Sequence, residues 1–115
     1  MQYMLLVYQR EADVKTLGEK EKGAFYQGYV TFTEDITKSG NHRAGAGLGP
    51  VAAATTVRVR DGKTVTTDGP FAETKEQLAG YYLIEAKDLD NAIAIAARIP
   101  SARVGSIEVR PVKPM

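Results

Sequence analysis

The stretch QLAGYYLIEA, residues 77–86, carries the aromatic and branched side chains that favour a β-strand. It predicts one strand of the core. A second strand is predicted from Tyr3 to Tyr8, where the side chains form an unbroken apolar and aromatic run. Such a run is typical of a strand that is buried on both faces. We therefore expect a sheet with the N-terminal strand near its centre.

A first helix is predicted between these two strands, from Phe25 to Ser39. The residues expected on one face of this helix recur every three to four positions: Phe25, Tyr29, Phe32 or Thr33, and Ile36. Gly40 follows directly and suits the left-handed residue at which many helices end.

A second helix is predicted after the 77–86 strand, with Asp88 as its N-cap. Asn91 stands where a capping box carries Glu or Gln. Pro100 ends the helix, and Ser106 to Arg110 predicts a last strand. The expected apolar stripe of this helix consists of Leu89, Ala92, Ile93, Ala96 and Ile99.

A β-hairpin is predicted in the middle of the chain. Asp61-Gly62 is a strong signal for a two-residue hairpin turn. Thr55 to Arg60 alternates in polarity, which predicts a half-buried strand with Val57 and Val59 on one face. Thr64 to Thr67 supplies the returning strand.

The segment GAGLGP, residues 45–50, is glycine-rich but does not match a nucleotide-binding loop. Pro50 stands where the dinucleotide pattern needs its third glycine, and the Gly-Lys-Ser/Thr end of a P-loop is missing. The segment also follows a helix and leads into a strand, the reverse of both motifs. We expect a close approach of two backbones or a kinked edge strand instead.

The order strand, helix, strand pair, helix, strand matches the split βαβ plan of the ferredoxin-like fold. The predicted fold class is therefore α+β with an antiparallel sheet, and residues 1–115 are expected to form a single domain. Both helices of this plan lie on one face of the sheet, which leaves the other face open. We expect a second copy to cover that face, so that a homodimer forms a dimeric α+β barrel.

Composition narrows the class of protein. Hydrophobic residues make up 43% and charged residues 25% of the chain, and the net charge of +1 argues against nucleic acid as a partner. The absence of cysteine excludes disulfides and thiolate chemistry. The N-terminal apolar run is too short for a signal peptide, and no run is long enough to span a membrane. We therefore expect a cytoplasmic protein that does not bind membranes.

The turn Asp68-Gly69-Pro70 is the first candidate site. Pro70 stiffens the turn, and the Asp68 carboxylate is expected to accept backbone N–H bonds in an Asx-type turn. A carboxylate held at the end of a strand suits a general base or a substrate anchor. The charged residues Glu73 and Lys75 follow closely, although such charges more often belong to a solvated loop.

His42 is the only histidine of the chain. Histidine is the side chain most easily poised for proton transfer near neutral pH, but a single histidine in a polar turn is commonly just solvated. No metal site is expected, because one histidine and no cysteine leave only carboxylates to complete a set of ligands. No cofactor is expected either.

The sequence Asp68-Gly69-Pro70-Phe71, followed by AETKE and by GYYLIEA at residues 80–86, resembles the signature of the YCII-related proteins, in the subgroup named for its DGPF motif. The resemblance covers essentially the whole chain and implies the ferredoxin-like fold and the dimeric α+β barrel, but no known reaction. In the broader family a His and Asp pair has been proposed to be enzymatic, with the histidine on the first helix. That helix carries no histidine here, so only Asp68 matches.

Two main functions follow from these residues. The first is binding or sensing of a small polar organic molecule. The second is a cofactor-independent enzyme, isomerase- or oxygenase-like, with Asp68 as base and His42 or Lys75 assisting. Some members of the family are encoded beside extracytoplasmic-function sigma factors, so the resemblance also implies a third function, interaction with such a regulatory system. Binding is favoured because no pair of residues in the sequence identifies a particular reaction. The candidate catalytic residues are Asp68 and His42, and the candidate ligand-binding residues are Arg58, Glu73, Lys75, Tyr81 and Tyr82.

Overall fold

The computed structural model describes all residues from 1 to 115 and contains six strands and three helices. No helix combines the length and the apolar character that crossing a membrane requires. The elements in chain order are β1 Gln2–Gln9, α1 Glu11–Lys15, α2 Glu19–Lys38, β2 His42–Gly47, β3 Thr55–Arg60, β4 Lys63–Asp68, β5 Gln77–Glu85, α3 Leu89–Ala96 and β6 Ser106–Pro111, with short 3₁₀ turns at Val51–Ala53 and Pro100–Arg103.

Four of the strands form the main sheet, in the order β2-β5-β1-β6, and every neighbouring pair is antiparallel. β1 and β2 flank β5, and α2 connects them, which makes a split βαβ unit. β5 and β6 flank β1 in the same way, with α3 as their connection. The predicted ferredoxin-like α+β fold with an antiparallel sheet is therefore confirmed, and β1 does lie in the centre of the sheet.

The core lies between one face of this sheet and the helices. On β1 the alternate residues Tyr3, Leu5 and Val7 are buried, whereas Met4 and Leu6 are only half-buried. The prediction of a strand buried on both faces was therefore wrong, because no element of the chain covers the second face. The helices contribute the buried side chains Phe32, Ile36, Ala92, Ile95 and Ala96, and Ile99, just after α3, adds another.

α3, the second helix predicted from the sequence, has the predicted N-cap, but its buried face differs from the predicted apolar stripe. The Asp88 carboxylate accepts the Asn91 N–H at 2.8 Å, as the sequence indicated. Leu89 and Ile93 are about half exposed, at 50% and 49%, whereas Ile95 is buried. The buried face therefore follows the spacing from Ala92 through Ile95, Ala96 and Ile99, which is one face of a helix.

The first long helix ends as predicted but starts earlier. Gly40 has a φ of +80°, the left-handed conformation expected just after a helix. α2 begins at Glu19 rather than Phe25, and the short α1 precedes it. Gly28 lies inside α2 where a Cβ atom would come within 3.1 Å of the Pro100 side chain. Close packing of the segment after α3 thus explains a glycine that is otherwise unfavourable in a helix.

The first three residues of the glycine-rich segment, 45–47, form the end of the edge strand β2. A Cβ atom on Gly45 would lie 3.0 Å from the Tyr81 carbonyl oxygen, and one on Gly80 would lie 2.8 Å from that of Ala46. The pairing also shifts register between His42 and Ala44. Both expected features, a close backbone approach and an irregular edge strand, are therefore present.

The predicted hairpin forms, but it stands apart from the main sheet. β3 and β4 pair only with each other, and Asp61 and Gly62 have φ values of 51° and 73°, as a tight hairpin turn requires. We call residues Thr55–Asp68 the arm. Val57 and Val59 are each 60% exposed, so the prediction of a half-buried strand was wrong. Both side chains are exposed because no other element of the chain packs over the arm.

Candidate functional site

A cavity of about 480 Å³ lies between α2 and the strands β2 and β5. Its sheet side carries three glycines, Gly45, Gly47 and Gly80, and glycine has no side chain to fill the space. A Cβ atom on Gly47 would meet no atom within 4 Å. The sixteen lining residues are Val7, Gln9, Val14, Lys22, Phe25, Tyr26, Tyr29, Thr33, His42, Gly45, Ala46, Gly47, Ala79, Gly80, Tyr81 and Tyr82.

The helix side of the cavity follows from helical spacing. Lys22, Phe25, Tyr26, Tyr29 and Thr33 lie at intervals of one, three or four residues on α2, so they share one face of that helix. Of the aromatic residues among them, Phe25 and Tyr29 were predicted to lie on the apolar face of this helix. Phe25 and Tyr29 meet edge to face, with ring centroids 5.5 Å apart. These rings face the glycine-lined strands and form the apolar wall of the cavity.

Tyr82 forms the inner end of the cavity. Its hydroxyl lies 2.7 Å from the Thr33 hydroxyl. Its ring meets Phe32 and His42 edge to face, at centroid distances of 5.1 and 6.0 Å. Burial raises the pKa of Tyr82, and the bond with Thr33 offsets part of that effect. The phenol therefore keeps its proton at neutral pH and stays in this hydrogen bond.

Tyr29 belongs to a hydrogen-bond chain behind the cavity wall. The Tyr29 hydroxyl donates to the Ser101 hydroxyl, which in turn donates to Gln9 Oε1 at 2.5 Å. Burial raises the pKa of Tyr29, against the lowering effect of the Ser101 bond. Ser101 is fully buried, so this chain satisfies a polar group inside the core and links α2, the segment after α3 and the end of β1.

His42 and Lys22 are two polar residues of the cavity whose side chains have no such partners. The half-buried His42 imidazole makes no hydrogen bond to another residue, and the Lys22 ammonium takes part in no ion pair. A positively charged amine and an imidazole are thus available to a molecule in the cavity. Neither group would have to break a hydrogen bond or an ion pair within the chain to bind such a molecule. The hydroxyls of Tyr82 and Tyr29, by contrast, already bond to Thr33 and Ser101.

The sequence-derived candidates fall into two groups. His42, Tyr81 and Tyr82 line this one cavity, although strand alternation turns the Tyr81 side chain toward the opposite face of the sheet from Tyr82. Asp68, Arg58, Glu73 and Lys75 are exposed and do not line it. Within one chain the structure therefore does not bring Asp68 into the cavity that His42 lines, and the roles assigned to the exposed group stay predictions.

The turn at Asp68 is built differently from the expectation. Gly69 has a φ of +96° and donates its N–H to the Ala54 carbonyl at 2.7 Å, while the Thr56 hydroxyl donates to the Gly69 carbonyl at 2.8 Å. The Asp68 carboxylate accepts no hydrogen bond, so the Asx-type turn was wrong. The backbone of Gly69 and the start of the arm supply those bonds instead, which leaves the carboxylate in solvent.

Sequence reasoning missed Lys22, Tyr29 and Ser101 as parts of the site. Tyr29 was predicted as a core residue, and its spacing to Tyr26 and Thr33 was the one signal that these side chains share a face. Nothing in the sequence connects Ser101 with Tyr29, because their contact spans 72 residues. Such a contact depends on the packing of α2 against the 3₁₀ turn Pro100–Arg103 after α3.

A wider groove of about 690 Å³ lies on the outer side of α2, against α1 and the segment after α3. It contains the ion pair between Arg98 and Asp35, at 3.3 Å, and the Arg98 guanidinium also lies over the Phe32 ring. Both charged side chains are half exposed, and such pairs contribute little to stability. None of the sequence-derived candidates lines this groove, so the glycine-lined cavity is the better candidate site.

Comparison with known proteins agrees with the fold and the sequence pattern. The YCII-related domain matches residues 1–115. The chain is 37% identical, over 113 residues, to an uncharacterised protein of Rhizobium meliloti (strain 1021), which covers 96% of this chain and 91% of that protein. The fold of this chain is similar to that of a 5-chloro-2-hydroxyhydroquinone dehydrochlorinase from Burkholderia phenoliruptrix AC1100, solved in complex with 2,5-dihydroxybenzoquinone. That similarity has a TM-score of 0.57 at 12% identity and covers 98% of this chain and 94% of the other. With its entire length matched, the chain belongs to the YCII-related domain family.

Proposed function

We propose that this protein binds a small, planar, polar organic molecule in the glycine-lined cavity. The observation that carries the proposal is the cavity itself, which joins His42 and Lys22 to a wall of aromatic rings. Its volume of about 480 Å³ is within the range of small-molecule sites, which are typically apolar with a few polar groups.

The chemistry of the walls indicates the class of ligand. Aromatic side chains offer ring faces and edges against which a flat ligand stacks. Lys22 and His42 supply a positive charge and a hydrogen-bonding nitrogen for a carboxylate, a phenolate or a hydroxyl group. A hydroxylated aromatic acid combines these features. The quinone bound to the similar dehydrochlorinase is a molecule of comparable shape, which is consistent with this class of ligand.

Filling the cavity tests the proposal. Gly47→Val adds a side chain where no atom lies within 4 Å, so the fold has room for it while the cavity loses volume. Gly49→Val is the matched control, because Gly49 is equally unhindered but does not line the cavity. The probes are hydroxybenzoates, measured by thermal shift and by titration calorimetry. We expect Gly47→Val to weaken binding at least tenfold and Gly49→Val to leave it unchanged. Equal affinities in the two variants would place the ligand elsewhere.

A second pair of variants tests the polar contacts. His42→Ala removes the imidazole from the cavity, whereas Arg43→Ala changes its exposed neighbour, which bonds only to nearby carbonyls. We expect a loss of affinity of about tenfold for the first variant, the size of one hydrogen bond to a polar ligand, and none for the second. If every hydroxybenzoate fails to bind the native chain, the proposed ligand class is incorrect.

Membership of the DGPF subgroup and an enzymatic function are proposals as well. The motif from Asp68 to Phe71 supports membership of the DGPF subgroup within the family. An enzymatic function with Asp68 as base is the weaker candidate, because Asp68 is exposed and outside the cavity that holds His42. Under the binding proposal, Asp68→Asn leaves the ligand profile unchanged, whereas an altered profile favours the enzymatic candidate.

A further inference from the structure

Gln9, the last residue of β1, lines the glycine-lined cavity. The alternate residues Tyr3, Leu5 and Val7 of this strand are buried under the helices, and Gln9 continues that alternation. The shift in pairing between β1 and β5 leaves the alternation intact, because the extra residue, Ala79, is on β5. A glutamine thus occupies a position that faces the helices, where the strand otherwise carries aromatic and aliphatic side chains.

One half of the Gln9 amide is held and the other half is free. Gln9 Oε1 accepts the Ser101 hydroxyl at 2.5 Å, and the Ser101 hydroxyl accepts that of Tyr29. This direction is favoured because the phenolic O–H of tyrosine is more acidic, and so a stronger donor, than an aliphatic hydroxyl. Gln9 Nε2 has no partner within the chain. Because no unpartnered polar side-chain atom is fully enclosed, this N–H donor is accessible from the cavity that Gln9 lines.

Gln9 and His42 lie at opposite ends of the cavity. β1 and β2 both pair antiparallel with β5 and therefore run parallel to each other; Gln9 ends the first strand and His42 begins the second. On β5, Gln9 is paired with Gln77 and His42 with Ile84. At about 3.3 Å per residue, their Cα atoms are about 20 Å apart along the sheet.

The helix side of the cavity shows a similar separation. α2 runs from the end of β1 back to the start of β2, so Lys22 lies at the Gln9 end. Thr33, which bonds to Tyr82 beside His42, lies at the other end. At a rise of 1.5 Å per residue, Lys22 and Thr33 are about 16 Å apart along the helix axis. The cavity therefore has two polar ends, joined by the wall of aromatic rings.

The Gln9 end suits an anion. It offers the free Gln9 amide N–H and the Lys22 ammonium, both of them donors. None of the sixteen lining residues is Asp or Glu, so no carboxylate inside the cavity opposes a negatively charged group. The imidazole of His42 at the other end can donate or accept a hydrogen bond, which suits a hydroxyl.

We propose that the cavity takes an elongated aromatic acid whose carboxylate binds Gln9 Nε2 and Lys22 while a hydroxyl at its far end binds His42. This inference rests on the proposed binding function and specifies the length and orientation of the ligand. A single-ring hydroxy acid, about 6 Å between its terminal oxygens, reaches about 12 Å with a hydrogen bond of about 2.9 Å at each end, and a two-ring acid about 17 Å. Only the longer molecule approaches the separation of the two ends.

Titration calorimetry with two probes tests the proposal. 4-Hydroxybenzoate has the same end groups as 4′-hydroxybiphenyl-4-carboxylate but one ring fewer. The native chain should bind the longer probe at least tenfold more tightly, because only that probe gains the charged hydrogen bond at the second end. His42→Ala should weaken both probes.

Gln9→Glu should weaken only the longer probe. The glutamate keeps an acceptor for Ser101 but replaces the free N–H by a charged oxygen, which would face the carboxylate of the ligand. We expect the affinity for the longer probe to fall at least about a hundredfold and that for the shorter probe to change less than about threefold. Gln27→Glu is the matched control, since Gln27 is exposed on α2 and does not line the cavity. It should leave both affinities unchanged.

The outcomes separate this inference from the proposed function. If neither probe binds the native chain, the proposed function fails and this inference fails with it. If the shorter probe binds and the native chain does not prefer the longer one, only this inference is overturned. The same holds if Gln9→Glu weakens both probes equally or leaves the longer one unaffected. Circular dichroism should show a folded Gln9→Glu chain; if it does not fold, the preference of the native chain for the longer probe decides.

Discussion

Replacing Gly80 by alanine tests how tightly β2 and β5 approach each other. A Cβ atom at this position would lie 2.8 Å from the Ala46 carbonyl oxygen and 3.3 Å from Gly47 Cα. Both are backbone atoms, so β2 must move by about half an ångström to accept the methyl group. Forcing a methyl group into a packed site costs about 1–3 kcal/mol. The unfolded state loses freedom when glycine becomes alanine, which offsets up to about 1 kcal/mol. We expect a net loss of about 1–2 kcal/mol.

Urea unfolding followed by circular dichroism measures this loss, which corresponds to a decrease in Tm of about 5–10 °C for a domain of this size. Gly47→Ala is the matched control, because Gly47 is paired with Gly80 in the same ladder and its Cβ would meet nothing within 4 Å. The control should be neutral or stabilising by about 0.5 kcal/mol. If Gly80→Ala unfolds at the same urea concentration as the native chain, β2 is free to move and the proposed tight approach is refuted.

Two further substitutions test the internal hydrogen bonds. Tyr82→Phe removes the hydroxyl that bonds to Thr33 and should lower the free energy of unfolding by about 1 kcal/mol near neutral pH. Since burial raises the pKa of Tyr82 above its unfolded value, its protonated form supports the fold below about pH 10, and this support is lost as pH rises through the folded-state pKa. Unfolding of the native chain should therefore become easier above pH 10 more steeply than that of Tyr82→Phe, and parallel pH curves would contradict this. Asp88→Ala removes the acceptor of the Asn91 N–H and should lower stability by about 1 kcal/mol in urea unfolding. Asp90→Ala is the control, because Asp90 is the second residue of α3 and its side chain makes no hydrogen bond. It should lower stability less than Asp88→Ala does. The reverse order of the two losses would refute the assignment of Asp88 as the cap.

Local sequence patterns predicted the elements whose cause is local. The turn at Asp61 and the cap at Asp88 depend on a few adjacent residues, and both formed as expected. The apolar run from Tyr3 to Tyr8 correctly gave a central strand. Burial of its second face depends on whether anything lies above the sheet, which a local run cannot reveal. For the same reason the exposure of Val57 was not predicted, because alternation indicates two faces but not what covers them.

The candidate site was only partly predictable. Tyr82 and His42 were selected for their chemistry, and both line the cavity. Asp68 was selected from its motif, but motif spacing does not fix where a turn lies relative to a sheet. The cavity itself arises from glycines on two paired strands, and this pairing joins Gly47 to Gly80 across 33 positions of sequence. Features that depend on such distant pairings need the fold before they can be recognised.

The two halves of α2 are anchored unequally. Phe32 and Ile36, in its second half, are fully buried in the core, whereas the first turns of the helix are mostly exposed and contact the body through half-buried rings such as Phe25. Segments with few buried contacts open locally at a lower free energy than the core. The first half of α2 also carries Lys22 and one wall of the cavity. Local opening there would widen the cavity while the core stays folded, so a molecule bound as we propose would be released without global unfolding.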